Sequence, residues 1–87
     1  MNKKQTLNYN MNKMINVHIG KLIHDELREQ GRSVSWFAYK MGTNRSNMYK
    51  ILKKEDLSTH FLLRASLYLN KNFFLEVSEC IKQACVK

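Results

Sequence analysis

Four side chains, Arg45, Ser46, Tyr49 and Lys50, stand at spacings that can place them on one arc of a helix. At ~100° per residue, Ser46, Tyr49, Lys50 and Lys53 project to one side, with Arg45 at its edge. Such an arc offers a planar guanidinium fork, an ammonium, and two hydroxyls. That is the chemistry for hydrogen-bonding oxygen and nitrogen acceptors on a polyanion. Lys54 extends the run. Across residues 33–54 there are five basic residues, the fifth being Lys40, and no acid.

The whole chain has 87 residues, with fifteen basic against seven acidic and a net charge of +8. The surplus is local. Residues 1–16 carry +3, from Lys3, Lys4 and Lys13, and residues 17–29 carry −1. Residues 30–54 carry +6, and residues 55–87 sum to zero. Charge concentrated in this way suggests DNA, RNA or an acidic membrane face as partner. The alternative is a solvated basic surface with no dedicated ligand.

Helices must position these groups. With no Pro and three Gly, the composition favours an all-α protein over a turn-rich sheet. A domain this size buries roughly 60–70% of its surface, which leaves little room for a catalytic cleft beside the core. Residues 1–16 are polar and Asn-rich and read as a flexible basic leader. The leader is either an arm that follows a nucleic-acid backbone or a tail without a specific role. Met11 and Met14 are possible later starts. The segment lacks the apolar run of a signal peptide.

The remainder, 17–87, reads as one helical domain. A first helix from Val17 to Gln30 turns Ile19, Leu22, Ile23 and Leu27 inward, and Gly31 stops it. Ser33 caps a second helix with the stripe Val34, Phe37, Ala38 and Met41, closed by Gly42. Asn44 caps a third, with Met48, Ile51 and Leu52 inward. Ser58 caps a fourth, with Leu62, Ala65, Ser66 and Leu69 inward. A turn at Asn70-Lys71-Asn72 admits positive φ. A last helix, Phe73 to Val86, places Phe74, Val77, Ile81 and Ala84 on one side, with Phe73, Cys80 and Cys85 on a second strip. His18 and His24 read as surface histidines. Cys80 and Cys85 match no zinc spacing and read as reduced thiols. No apolar run approaches ~20 residues, so no membrane span is expected.

The ordered run from Ser33 to Ile51, SVSWFAYKMGTNRSNMYKI, resembles the helix-turn-helix of the Cro and lambda-repressor-like (XRE) family. The segments IGKLIHDELREQG and LLRASLYLN fall where that family places its flanking helices, so the resemblance spans roughly Ile19 to Phe74. It implies a five-helix, lambda-repressor-like bundle that reads the major groove of double-stranded DNA with the helix 44–53. By position, Arg45, Ser46 and Lys50 fall on base-reading sites. Arg45 and Lys50 suit guanine O6 and N7, and Tyr49 lies between them. Asn44, Asn47, Lys53 and Lys54 would hold the backbone. Many members have Gln at the second position of the first motif helix, as a phosphate contact. Here Val34 stands there, leaving backbone N–H groups with Ser33 or Ser35 to hold a phosphate. Trp36 and Tyr39 point away from the second-helix stripe. They cover the first helix or the leader, lie against the sugar-phosphate chain, or mark a partner surface.

These readings imply a cytoplasmic, non-enzymatic transcriptional regulator without cofactor or metal, acting as a homodimer through Phe73, Val77, Cys80, Ile81 and Ala84. The competing expectation is a protein-interaction module, antitoxin-like or an adaptor, on the same fold. No nucleophile–base set, paired carboxylates or phosphate loop points to an enzyme.

Overall fold

Side-chain caps and left-handed stops divide the chain into helices. In the computed structural model, which describes residues 17–85 (the last two as backbone only), these are α1 (Ile19–Glu29), α2 (Val34–Met41), α3 (Arg45–Leu52), α4 (Thr59–Leu69) and α5 (Phe73–Cys85). Among the described residues there is no strand, so the class is all-α. The expectations placed on the leader, 1–16, and on the side chains of Ala84 and Cys85 lie outside the described residues.

The three expected caps form. Ser33 Oγ accepts from Trp36 N at 3.0 Å, Asn44 Oδ1 from Asn47 N at 2.7 Å, and Ser58 Oγ from Phe61 N at 3.0 Å. Each satisfies a first-turn N–H that has no helical acceptor. A fourth cap differs from expectation. His18, expected at the surface, is half-buried, and its Nδ1 accepts from Lys21 N at 3.0 Å to start α1. The stops follow one chemistry. Gly31, Gly42 and Asn70 adopt φ of 70°, 80° and 52°. Beyond each, an amide reaches back to a carbonyl five residues earlier: Arg32 to Leu27, Thr43 to Ala38, and Lys71 to Ser66, at 2.9, 2.9 and 3.0 Å. These are the bonds by which a left-handed residue satisfies terminal carbonyls.

The unit from His18 to Phe73 holds α1 to α4 around one core. Val34, Phe37, Ala38 and Met41 are all buried, as the α2 stripe requires. So are Ile23 and Leu27 of α1, Met48 and Leu52 of α3, and Leu62, Ala65 and Leu69 of α4. Ile19, Leu22 and Ile51 are half-buried. Phe37 meets Phe61 edge to face, with centroids 6.3 Å apart, the arrangement that ring quadrupoles favour. α2 packs chiefly on α3 across the turn Gly42-Thr43-Asn44, and α1 lies against α3.

Phe73 corrects an expectation. It is 0% exposed and belongs to this core, with its amide donating to Ser66 Oγ at 3.4 Å, so it offers nothing to a second chain. The residues of α5 from Phe74 onward fall outside that unit. On α5, Phe74, Leu75 and Ile81 are exposed, Val77 is half-buried, and Cys80 is a free, half-buried thiol.

Two long-range ties hold the ends of α1. At its start, Ile19 N donates to Glu55 O at 3.0 Å and Gly20 N to Lys54 O at 3.1 Å. A Cβ on Gly20 would run into the carbonyl oxygens of Leu52 and Lys54, so this close approach requires glycine. At its end, Gln30 Nε2 donates to Leu69 O at 2.8 Å, and Lys71 pairs with Glu26 at 3.3 Å. Arg64 of α4 donates to Met41 O at 3.3 Å, capping the end of α2.

Candidate nucleic-acid interface

α3 is short, eight residues, and its orientation is set from beneath and from both ends. Met48 at 0% and Leu52 at 4% exposure anchor its inner face. The Asn44 cap fixes its start. Its C-terminal end passes under Gly20, where the carbonyls of Lys54 and Glu55 receive the α1 amides. With the inner face pinned, Arg45, Ser46, Asn47, Tyr49 and Lys50 are left exposed on the other side, followed by exposed Lys53 and Lys54. The four expected reading residues therefore share one solvent-facing surface of one helix.

The expected backbone-holding residues are divided between tasks. Ser35 is exposed in the first turn of α2. Ser33 uses its oxygen as an acceptor in the cap, which leaves its O–H as a donor. Asn44 likewise commits its carbonyl oxygen and keeps its NH₂. Asn47 Nδ2 donates to Thr43 Oγ1 at 2.8 Å, bracing the turn between α2 and α3.

Aromatic rings order this surface. The Arg45 guanidinium lies 5.1 Å from the Tyr49 ring centroid, and Tyr49 meets His24 of α1 edge to face at 6.1 Å. His24, expected at the surface, is half-buried as a prop for Tyr49. Trp36 is half-buried, with the Arg32 guanidinium 4.1 Å and Lys40 Nζ 5.9 Å from its centroid. Tyr39, by contrast, is 79% exposed and does not cover the first helix. Cation–π contacts hold a charged side chain without neutralising it.

The carboxylates that form ion pairs lie on α1. Among the described residues, the ion pairs join Lys21 and Arg28 to Asp25, and Lys71 to Glu26. None involves Arg32, Lys40, Arg45, Lys50, Lys53 or Lys54. The hydrogen bond from Lys21 holds the Asp25 carboxyl below its ordinary value against the opposing effect of desolvation, and the charges of Lys21, Arg28 and His24 add to the lowering. Asp25 is thus an ionised partner of α1 cations.

One feature of this surface was missed in the sequence. An open cleft of about 250 Å³ lies beside the start of α2, lined by Arg28, Arg32, Ser33, Arg45, Tyr49 and His24 over a floor of Leu27 and Val34. Arg32 and Arg28 are separated from Arg45 by more than a dozen residues, so no helical spacing relates them. The one local signal was Arg32 directly before the Ser33 cap.

Among the described residues no group of three or more His, Cys, Asp or Glu is placed to hold a metal ion, and no helix is long and apolar enough to cross a membrane. No family model, curated protein or solved structure matches this chain.

Proposed function

We propose that this chain is a cytoplasmic, sequence-specific DNA-binding transcriptional regulator of the Cro and lambda-repressor-like kind. In this reading α2 lies across the DNA backbone and α3 enters the major groove. Arg45, Ser46, Tyr49 and Lys50 read base edges. Ser33, Ser35, Asn44, Asn47, Lys53 and Lys54 hold phosphates. The observation that carries the proposal is the division of α3: Met48 and Leu52 buried, and every polar or basic side chain from Arg45 to Lys50 exposed and, among the described residues, in no ion pair with a carboxylate. A cationic face left unneutralised on a helix pinned from behind is suited to an anionic groove.

The regulator acts as a homodimer on a pseudo-palindrome with half-sites about one helical turn, ~34 Å, apart. The dimer surface is α5, now reduced to Val77, Cys80, Ile81 and Ala84. Selection of bound fragments from a random DNA pool tests the reading. An enriched motif repeated at that spacing supports it, and a pool without enrichment rejects it.

A protein-interaction module on the same fold is the second reading. It rests on Tyr39, 79% exposed, and on Leu63 and Leu67 of α4, 47% and 72% exposed. It requires tight protein binding with little DNA sequence preference.

A further inference from the structure

We propose that His24, on α1 and outside the helix-turn-helix segment, is a positioning residue that fixes where the Arg45 guanidinium stands, acting through the ring of Tyr49. The two helices meet at one-turn steps taken in opposite directions. A Cβ on Gly20 would meet the carbonyl oxygen of Leu52, His24 meets Tyr49, and Arg28 shares the cleft with Arg45. Positions 20, 24 and 28 fall on one side of α1, and 52, 49 and 45 run back along one side of α3. Glycine at the first step lets the two backbones come close. That approach brings the second step into ring contact.

Tyr49 is therefore held on two sides. His24 meets it edge to face, with centroids 6.1 Å apart and planes at 76°. The Arg45 guanidinium carbon lies 5.1 Å from the same centroid. His24 is half-buried, so the ring that carries Arg45 is backed by a side chain with little room to turn. Arg28 puts a like charge on the cleft wall, which disfavours any swing of Arg45 back towards α1. Attraction by the ring and repulsion from Arg28 select one orientation of the guanidinium fork. A fork oriented beforehand loses less freedom on pairing with a base. Lys50 differs: it is exposed, and among the described residues no ring lies beneath its ammonium.

The consequence rests on the proposed reading role of Arg45 and divides the readers. Arg45 holds one base position strictly, its fork facing guanine O6 and N7, while Lys50 tolerates more than one base. His24 sets that strictness without itself pairing with a base.

The test has two arms on the full chain. The first needs no DNA. Side-chain NMR reads the upfield ring-current shift of the Arg45 δ-methylene protons, with Tyr49→Leu defining its absence. His24→Leu should lose most of that shift, and His24→Phe, which keeps an edge-to-face ring, should retain it. Should His24→Leu not fold, His24→Gln, which also removes the ring, takes its place. An Arg45 shift unchanged in the ringless variant overturns the positioning role.

The second arm measures affinity for a selected duplex and for single-base variants of it. His24→Leu should lower the preference for guanine at the Arg45 position by roughly two- to fivefold, the equivalent of an exposed cation–π contact. The preference at the Lys50 position and the salt slope should stay as in the parent, and His24→Phe should restore the guanine preference. An equal loss on every duplex marks a merely structural role and overturns the inference. A chain that prefers no duplex, with the Arg45 shift lost in His24→Leu, keeps the positioning and rejects the regulator. Sequence preference with an Arg45 shift indifferent to His24 does the reverse.

Discussion

Arg45 and Lys53 lie on the same exposed run of the chain, and the proposed function gives them different tasks. A guanidinium paired with a base edge discriminates sequence, while an ammonium on a phosphate does not. Arg45→Ala should weaken the best site by about 1–3 kcal/mol and relax one base position. Lys53→Ala should weaken all sequences alike and reduce the salt slope by about one. Titration of a selected and a scrambled duplex at several salt concentrations separates the two, and equal losses on both duplexes would sink the reading role of Arg45. Gly20 belongs to this scale too. Alanine there improves intrinsic helix propensity by about 1 kcal/mol, yet its methyl meets the backbone oxygens of Leu52 and Lys54, which have little freedom to withdraw. The clash outweighs the propensity. Gly20→Ala should destabilise by about 1–3 kcal/mol, read as a lower midpoint in urea. A variant at least as stable as the parent would show that the α1–α3 tie is not needed.

At the scale of elements, α2 and α3 have eight residues each. Isolated helices that short are not stable in water, so their ends matter more than their propensities. The Asn44 cap and the Gly42 stop meet in one three-residue turn and set the angle at which α3 leaves α2. Gly42 sits at φ 80°, with open space where a Cβ would lie. Alanine there meets no neighbour and is penalised by the backbone conformation alone, about 1–2 kcal/mol. Asn44→Ala should cost ~1 kcal/mol. Both changes should weaken DNA binding beyond the fraction unfolded, because a tilted α3 misplaces four side chains together. Circular dichroism melts, compared with DNA affinity at a temperature where each variant is folded, check this. This turn was legible beforehand because its signals act over three to five residues, within the reach of one side chain.

For the whole molecule, the unit from His18 to Phe73 has Phe73, the first residue of α5, as the last buried member of its core. The proposed dimer therefore depends on residues after Phe73. Ile81 is 45% exposed, so Ile81→Glu should leave the thermal midpoint nearly unchanged while converting a dimer to a monomer in sedimentation velocity. A wild-type chain that sediments as a monomer both free and on DNA would remove the dimer from the proposal.

The arc that holds Arg45, Ser46, Tyr49 and Lys50 was determined by sequence alone, as were the caps at Ser33, Asn44 and Ser58 and the stops at Gly31 and Gly42, whereas the turn Asn70-Lys71-Asn72 left open which asparagine takes positive φ, and the structure puts it at Asn70. Helical period and capping involve neighbours along the chain, so residue type is enough to place them. Tertiary structure alone decided that His24 props Tyr49, that Gly20 packs against the carbonyls of Leu52 and Lys54, that Phe73 lies in the core, and that Arg28 and Arg32 join Arg45 around one cleft. Those relations link residues from different helices. They depend on which faces cover one another, and no spacing along a single helix encodes that.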